Sequence, residues 1–305
     1  MQVYRQNRLH FVLVVLQVIF NPVAGKGRSS RAIGQVERFL TENALPYRLL
    51  TTEAAGHAVE LAAATPPGST LLVVGGDGTV HEAVKGMVRG NLSRRLAVIP
   101  VGSGDDFAYA LDIPRDNLLG ALTRLLDPEV TTVDVGFVDG EPFVNSMGVG
   151  FDAEAAYRVR NSPKWTKGLA AYLYGTLTAL GTFRPVSVRV VVDDAQVYHG
   201  PSLLVSLQNG PRAGGNFLFA PTARNDDGQL DVLVAGEFTR ASAIAVLPRL
   251  MRGAHLSHPR VHLFHGTRVE LHWEEPQRGH ADGEPLGPRH SYVAELRAAT
   301  LEVLR

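Results

Sequence analysis

The chain has 305 residues, 45% hydrophobic and 20% charged, a composition that suits one large or two ordinary folded domains. Its 30 basic residues balance its 30 acidic ones, which argues against a general nucleic-acid binder, and the absence of cysteine excludes disulfides and thiolate chemistry.

Phe11–Phe20 (FVLVVLQVIF) follows Arg5 and Arg8 as the start of a signal peptide would. Its β-branched content and the glycine-rich turn after it instead predict a buried strand. A helix is predicted from Ser29 or Ser30, with Ile33, Val36, Phe39 and Leu40 at helical spacing. Then follow a strand at Tyr47–Leu50, a helix at Ala58–Ala64 and a wholly apolar strand at Leu71–Val74. A helix at Val80–Val88, a strand at Leu96–Ile99 and a leucine-rich helix at Asn117–Leu126 complete the run. The alternation predicts an α/β domain with a parallel sheet covered on both faces.

Beyond about residue 130 the pattern changes. Turn dipeptides Asp139-Gly140, Asp193-Asp194, Asn209-Gly210, Asp227-Gly228 and Asp282-Gly283 punctuate β-rich runs at Val186–Val192, Leu203–Leu207, Leu230–Ala235 and Val261–Trp273. Helices are predicted near 164–182 and 241–252. Trp165–Phe183 is nearly of membrane-spanning length, but Lys167 and several glycines and threonines predict a helix packed on its domain. This second, mainly antiparallel domain takes 131–290; residues 1–130, joined by about 291–305, make the first.

Three loops carry the chemistry. Leu71-Leu72-Val73-Val74-Gly75-Gly76-Asp77-Gly78-Thr79 feeds a buried strand through glycines into a helix holding His81 and Glu82. Unpaired N–H groups and a positive dipole end make such a junction an anion site, and glycines let a phosphate approach the backbone. Asn21-Pro22-Val23-Ala24-Gly25-Lys26-Gly27 repeats the logic, with Lys26 available to a phosphate. Pro100-Val101-Gly102-Ser103-Gly104-Asp105-Asp106 repeats it again, with the aspartates as alternative helix caps. The spacing matches neither a dinucleotide fingerprint nor a Walker A loop. In an open α/β sheet, ligands gather at the carboxyl ends of strands, where all three loops fall. His57, His199, His255 and His258 form no ligand constellation and read as surface or packing residues.

NPVAGKGR, GGDGTVHE and IPVGSGDDFA, in this order, resemble the diacylglycerol kinase catalytic-domain family, which includes bacterial lipid kinases and the sphingosine and ceramide kinases. GGDGT is shared with NAD kinases. Gly214-Gly215 through Ala220-Pro221 to Asp226-Asp227-Gly228-Gln229-Leu230-Asp231, and His280-Ala281-Asp282-Gly283-Glu284, favour the lipid branch.

The resemblance implies a nucleotide domain, a β-sandwich-like lipid domain and a reaction site in the cleft between them. Asn21, Pro22, Gly25, Lys26, Thr52, Gly75, Gly76, Asp77, Gly78, Thr79, Glu82, Gly102 and Ser103 would then hold ATP. Asp77 would act near the phosphates and their Mg²⁺, and Glu284 would be the general base. Asp227, with the main-chain carbonyls of Arg224 and Gln229, would hold a structural Mg²⁺. The expected activity is phosphorylation of a hydroxyl on a membrane lipid by a cytoplasmic protein in peripheral contact with the bilayer. A homodimer stays open. Two alternatives also stay open: a kinase for a soluble acceptor such as NAD, and a nucleotide- or lipid-binding regulator without turnover. Ser103 and Asp105 replace the family's usual threonine and asparagine, and Asp105 sets a negative charge beside the expected triphosphate. His81 stands where bacterial members often have asparagine, which leaves the acceptor open.

Overall fold

The structure, a computed structural model, describes residues 15–90, 94–163 and 169–305, so strand residues 11–14 and Trp165 and Lys167 lie outside it. The chain divides into two compact units, Met1–Val133 with Ala299–Arg305, and Asp134–Ala298.

The first unit is an α/β domain. Its strands are β1 (Leu16–Phe20), β2 (Tyr47–Thr51), β3 (Thr70–Gly75) and β4 (Arg95–Pro100), hydrogen-bonded in parallel in the order β2-β1-β3-β4. Glu302–Leu304 extend the sheet as a further parallel strand on β4. Val18, Ile19 and Leu71–Val74 are fully buried, as strands covered on both faces require. The covering helices are α1 (Ala24–Glu42), α2 (His57–Ala64), α3 (Asp77–Arg89), α4 (Asp106–Ala110) and α5 (Leu118–Thr123). In α1, Ala32, Val36 and Leu40 form the buried stripe. Chain direction across the sheet reverses between β1 and β3. That is the switch point where the loops after neighbouring strands diverge and leave a crevice.

The second unit is antiparallel and sandwich-like. It contains β5 (Val130–Val138), β6 (Glu141–Phe143), β7 (Ser146–Gly150), α6 (Phe151–Arg160), α7 (Leu169–Thr182), β8 (Val186–Val192) and β9 (Ala195–Ser202). Then come β10 (Leu204–Gln208), β11 (Leu230–Ala235), α8 (Arg240–Met251), β12 (Val261–Gly266), β13 (Arg268–Ala281) and β14 (Glu284–Leu304). Pairing runs β12-β11-β10-β7-β13-β14, with β8 and β9 added on β13. Val188, Val205, Val232, Leu271, Trp273 and Tyr292 pack into one core. A second cluster lies under the helices, where Phe151 and Leu180 meet Leu204, Leu233 and Ala243.

The segment that rejoins the first unit is Ala299–Arg305, shorter than the 291–305 expected, because Tyr292 and Ala294 are buried in the second unit's core. Asp139-Gly140, Asp193-Asp194 and Asp282-Gly283 are left-handed two-residue turns between paired strands. Asn209-Gly210 is not: Asn209 is buried, and its amide donates to the carbonyls of Asp134 and Val144 at 2.9 Å each. The run Val261–Trp273 divides at Gly266, where β12 ends on β11 and β13 begins. No described helix is long and apolar enough to cross a membrane.

Candidate functional site

In the first unit the three glycine loops meet at the carboxyl ends of β1, β3 and β4. Contact is so close that side chains are excluded. A Cβ on Gly25, whose φ is +58°, would fall 1.8 Å from the Val101 carbonyl oxygen. One on Gly76 would fall 2.8 Å from the Cα of Gly102, and one on Gly75 would fall 2.7 Å from the Cβ of Thr79. Asn21 joins the first two loops by donating from Nδ2 to the Thr79 hydroxyl at 3.0 Å, while its Oδ1 accepts from Val23 N–H. Pro22 offers its carbonyl to Ser30. Gly25, Lys26 and Gly27 are all left-handed, so regular helix in α1 begins only after them, with Lys26 exposed. Gly78 is exposed with open space where a side chain would stand, and Ser103 is exposed on the third loop.

The acidic residues of this unit have distinct tasks. Asp77 opens α3, yet its Oδ1 accepts from the N–H groups of Asp106 and Phe107 at 2.7 and 3.3 Å, so it caps α4. Burial, then the nearby Asp106 and Asp105 carboxylates, raise its pKa to about 7. Asp105 is left-handed, accepts from Gly102 N–H at 2.8 Å and has its pKa raised to about 6, again chiefly by burial. The oxygens of these acids are hard donors of the kind a divalent cation takes. Glu82, expected at the nucleotide, receives Gly56 N–H at 2.9 Å and Ala58 N–H at 3.2 Å, and so caps α2. Thr52 is buried, tied by its N–H to the Phe20 carbonyl.

In the second unit Glu284 is the first residue of β14, and Arg160 Nη2 lies 3.0 and 3.2 Å from its two carboxylate oxygens. The hairpin carrying it is anchored from two sides. The Asp282 carboxylate accepts from the N–H groups of Val144, Asn145 and Ser146 at 2.8–2.9 Å. His280 Nδ1 accepts from Gly283 N–H at 3.3 Å, which assigns the ring proton to Nε2, 3.4 Å from Asp152 Oδ2. Gly148 makes room for this pair: a Cβ there would fall 1.9 Å from Asp152 Oδ2 and 2.6 Å from His280 Nε2. Tyr157, Arg160, Arg278, His280 and Pro285 line a small pocket of about 30 Å³, room for a water or two. Arg278 stacks on Tyr157 at 4.0 Å and pairs with Glu154 at 3.1 Å.

The expected structural Mg²⁺ residues lie on one turn. Arg224 pairs with Asp226, and Asp227 Oδ1 accepts from Gln229 N–H at 3.0 Å. Asp134 closes the turn from below, accepting from Gly228 N–H at 2.8 Å while its own N–H meets the Asn225 carbonyl. Burial raises the pKa of Asp231 to about 6, with His265 opposing the rise and Asp227 adding to it. Amide oxygens of Asn145, Gln208 and Asn209 are buried without partners. Among the described residues no three His, Cys, Asp or Glu side chains converge on a metal. A cation here would therefore draw on main-chain carbonyls as well as Asp227, and this all-oxygen, acid-rich surrounding fits a hard divalent ion.

Sequence reading passed over α6, which supplies Asp152, Glu154 and Arg160. Its signal was present in Gly148-Val149-Gly150 before Phe151-Asp152, a further glycine-to-helix junction with Gly150 at φ +102°.

Comparison with known proteins meets this geometry at both units. The diacylglycerol kinase catalytic domain model matches residues 15–138, and the YegS C-terminal NAD kinase beta sandwich-like domain model matches residues 145–305. The chain belongs to the diacylglycerol kinase family. Among its relatives, a diacylglycerol kinase of Bacillus subtilis is 29% identical over 88% of this chain and 89% of its own length. A "probable lipid kinase YegS-like" of Pseudomonas aeruginosa is 34% identical, covering 72% of each chain. The fold of this family member is that of a diacylglycerol kinase crystal structure from Bacillus anthracis, at TM-score 0.72 and 23% identity, covering 95% of this chain and 96% of that one. An NAD kinase from Archaeoglobus fulgidus in complex with ATP shares the fold at TM-score 0.51 and 12% identity, covering 95% and 94%.

Proposed function

We propose that the protein transfers the γ-phosphoryl group of ATP to a hydroxyl of diacylglycerol or a related membrane lipid. The observation that carries this reading is the convergence of three glycine loops at a sheet switch point, with α3 opening toward the space that Gly78 leaves free. The positive end of α3 would attract phosphate oxygens, and the exposed Lys26 would add a positive charge. Glycines at 25, 76 and 102 keep the loops in contact, so the cradle is formed before ligand arrives.

Asp77 and Asp105 are the residues that would hold a nucleotide-bound Mg²⁺, and Asp227 with the Arg224 and Gln229 carbonyls would hold a structural one. When bound, the ion neutralises phosphate charge as the transferring group loosens. Glu284 accepts the proton of the lipid hydroxyl as the new P–O bond forms and the bond to the ADP oxygen breaks. Glu82 also fixes the start of α2 through the Gly56 and Ala58 N–H groups, and the Thr52 N–H ties the end of β2 to β1.

The test is transfer of label from [γ-³²P]ATP into mixed micelles of diacylglycerol, phosphatidylglycerol, sphingosine or ceramide, with NAD as a soluble acceptor and with or without Mg²⁺. A Mg²⁺-dependent labelled lipid is expected. Label in NAD alone, or none in any acceptor despite measured ATP binding, would overturn the reading.

A further inference from the structure

Between Glu237 and Glu270 the chain holds no acidic residue, while Arg240, Arg249, Arg252, Arg260 and Arg268 fall within the stretch, in a protein of zero formal net charge. Arg268 is paired with Glu270 and Glu295, and Arg260 donates to the Glu237 carbonyl. The other three bracket α8, and none of them is ion-paired among the described residues.

Helix α8 has two apolar faces where a surface helix should have one. Thr239 caps it by accepting from Ser242 N–H at 3.2 Å. Ala243, Val246 and Leu250 turn inward against Phe238 and Leu233. The opposite side presents Ala241, Ile244, Ala245, Pro248 and Met251, with Ile244 48% and Met251 51% exposed. The spacing places these on one continuous stripe. A helix facing water normally carries charged pairs there. This one offers apolar side chains flanked by Arg240, Arg249 and Arg252, the pattern of a helix lying in the headgroup layer of an anionic membrane.

We propose that α8 docks the protein on an anionic bilayer surface, with Ile244 and Met251 entering the acyl boundary and Arg240, Arg249 and Arg252 meeting lipid phosphates. A second copy is the poorer occupant. A two-fold contact would set these arginines against their own counterparts, like charge against like. The proposal rests on the lipid-kinase reading for its purpose, since an enzyme acting on a bilayer lipid must meet the bilayer. Its measurement does not depend on turnover.

The test is co-sedimentation of the full chain with phosphatidylcholine vesicles, and with the same vesicles containing phosphatidylserine. Kinase assays on a water-soluble short-chain diacylglycerol run in parallel. Only the anionic vesicles are expected to bind the unaltered protein. Each arginine at the surface contributes about fivefold, so R249Q/R252Q should bind about 25-fold more weakly. I244E/M251E should bind at least about tenfold more weakly, and both variants should keep full activity on the soluble acceptor. Equal binding by I244E/M251E and the unaltered protein overturns the proposal. So does a dimer that this variant disperses while its vesicle binding stays unchanged. If nothing is phosphorylated but α8 still governs vesicle binding, the kinase reading fails and the docking surface stands.

Discussion

Glu284 is held by Arg160 at 3.0 Å in an ion pair about half open to solvent, and single substitutions can test its proposed role. Glu284→Gln is expected to keep ATP binding and lower kcat by about 10²–10⁴-fold, because only the proton acceptor is lost. Isothermal titration with ATP beside steady-state kinetics checks the split, and an unchanged kcat removes Glu284 from the reaction. Asp77 offers a second measurement, through pH. Its pKa, about 7, lies above that of an exposed carboxyl, so the folded chain binds this proton more tightly than the unfolded one. The associated stability is full below about pH 4 and is lost as pH rises through about 7. Asp77→Asn still accepts the α4 N–H groups, so it should raise the melting temperature at pH 8 by about 2–4 °C while abolishing transfer. A variant that melts with the unaltered protein's pH dependence would show that Asp77 does not carry it.

Among elements, the β13–β14 hairpin and α6 act as one device. His280 has two faces, and amide substitutions separate them. His280→Asn places an acceptor where Nδ1 receives Gly283 N–H; His280→Gln places a donor where Nε2 faces Asp152. If the turn bond positions Glu284, Asn should retain most of kcat and Gln should lose roughly tenfold, with the KM for ATP unmoved in both. Gly102→Ala tests the loop contacts, since the added carbon would sit 2.5 Å from Gly76 Cα. A loss of about 1–3 kcal/mol in denaturant unfolding is expected, together with weakened ATP binding.

The glycine loops were legible in the sequence because turn chemistry is local: Gly75, Gly76 and Gly102 announce their backbone needs within a few residues. Asp282-Gly283 was legible for the same reason. Arg160 was not, because its partner lies 124 residues away and no local rule joins them. Asn209-Gly210 was misread because Asn209 spends its side chain on buried carbonyls, a task that depends on tertiary surroundings. Asp77 and Glu82 carry the family's motif, but their hydrogen bonds to α4 and α2 are visible only once those helices are packed.

For the whole molecule, the β14 segment matters most. Glu302, Val303 and Leu304 pair with Arg95, Leu96 and Ala97, and Leu301, Val303 and Leu304 are buried. Removing residues 299–305 deletes that burial, about 1.5–3 kcal/mol for each large apolar side chain. The first unit should then melt earlier and lose ATP affinity, while the second unit, with its own core, keeps its transition. Calorimetry resolving two transitions in the truncated chain would bear this out; a single unshifted one would contradict it.

The same segment sets an order of assembly on the ribosome. The strand that completes the first unit's sheet is translated only after all of Asp134–Ala298. At 5–20 residues per second, the free side of β4 waits on the order of ten seconds or more for its neighbour. During that interval it is an unpaired sheet edge on a nascent chain. Newly made protein therefore passes through a stage with an open edge on its parallel sheet, and slower translation of the second unit should lower the soluble yield of the first.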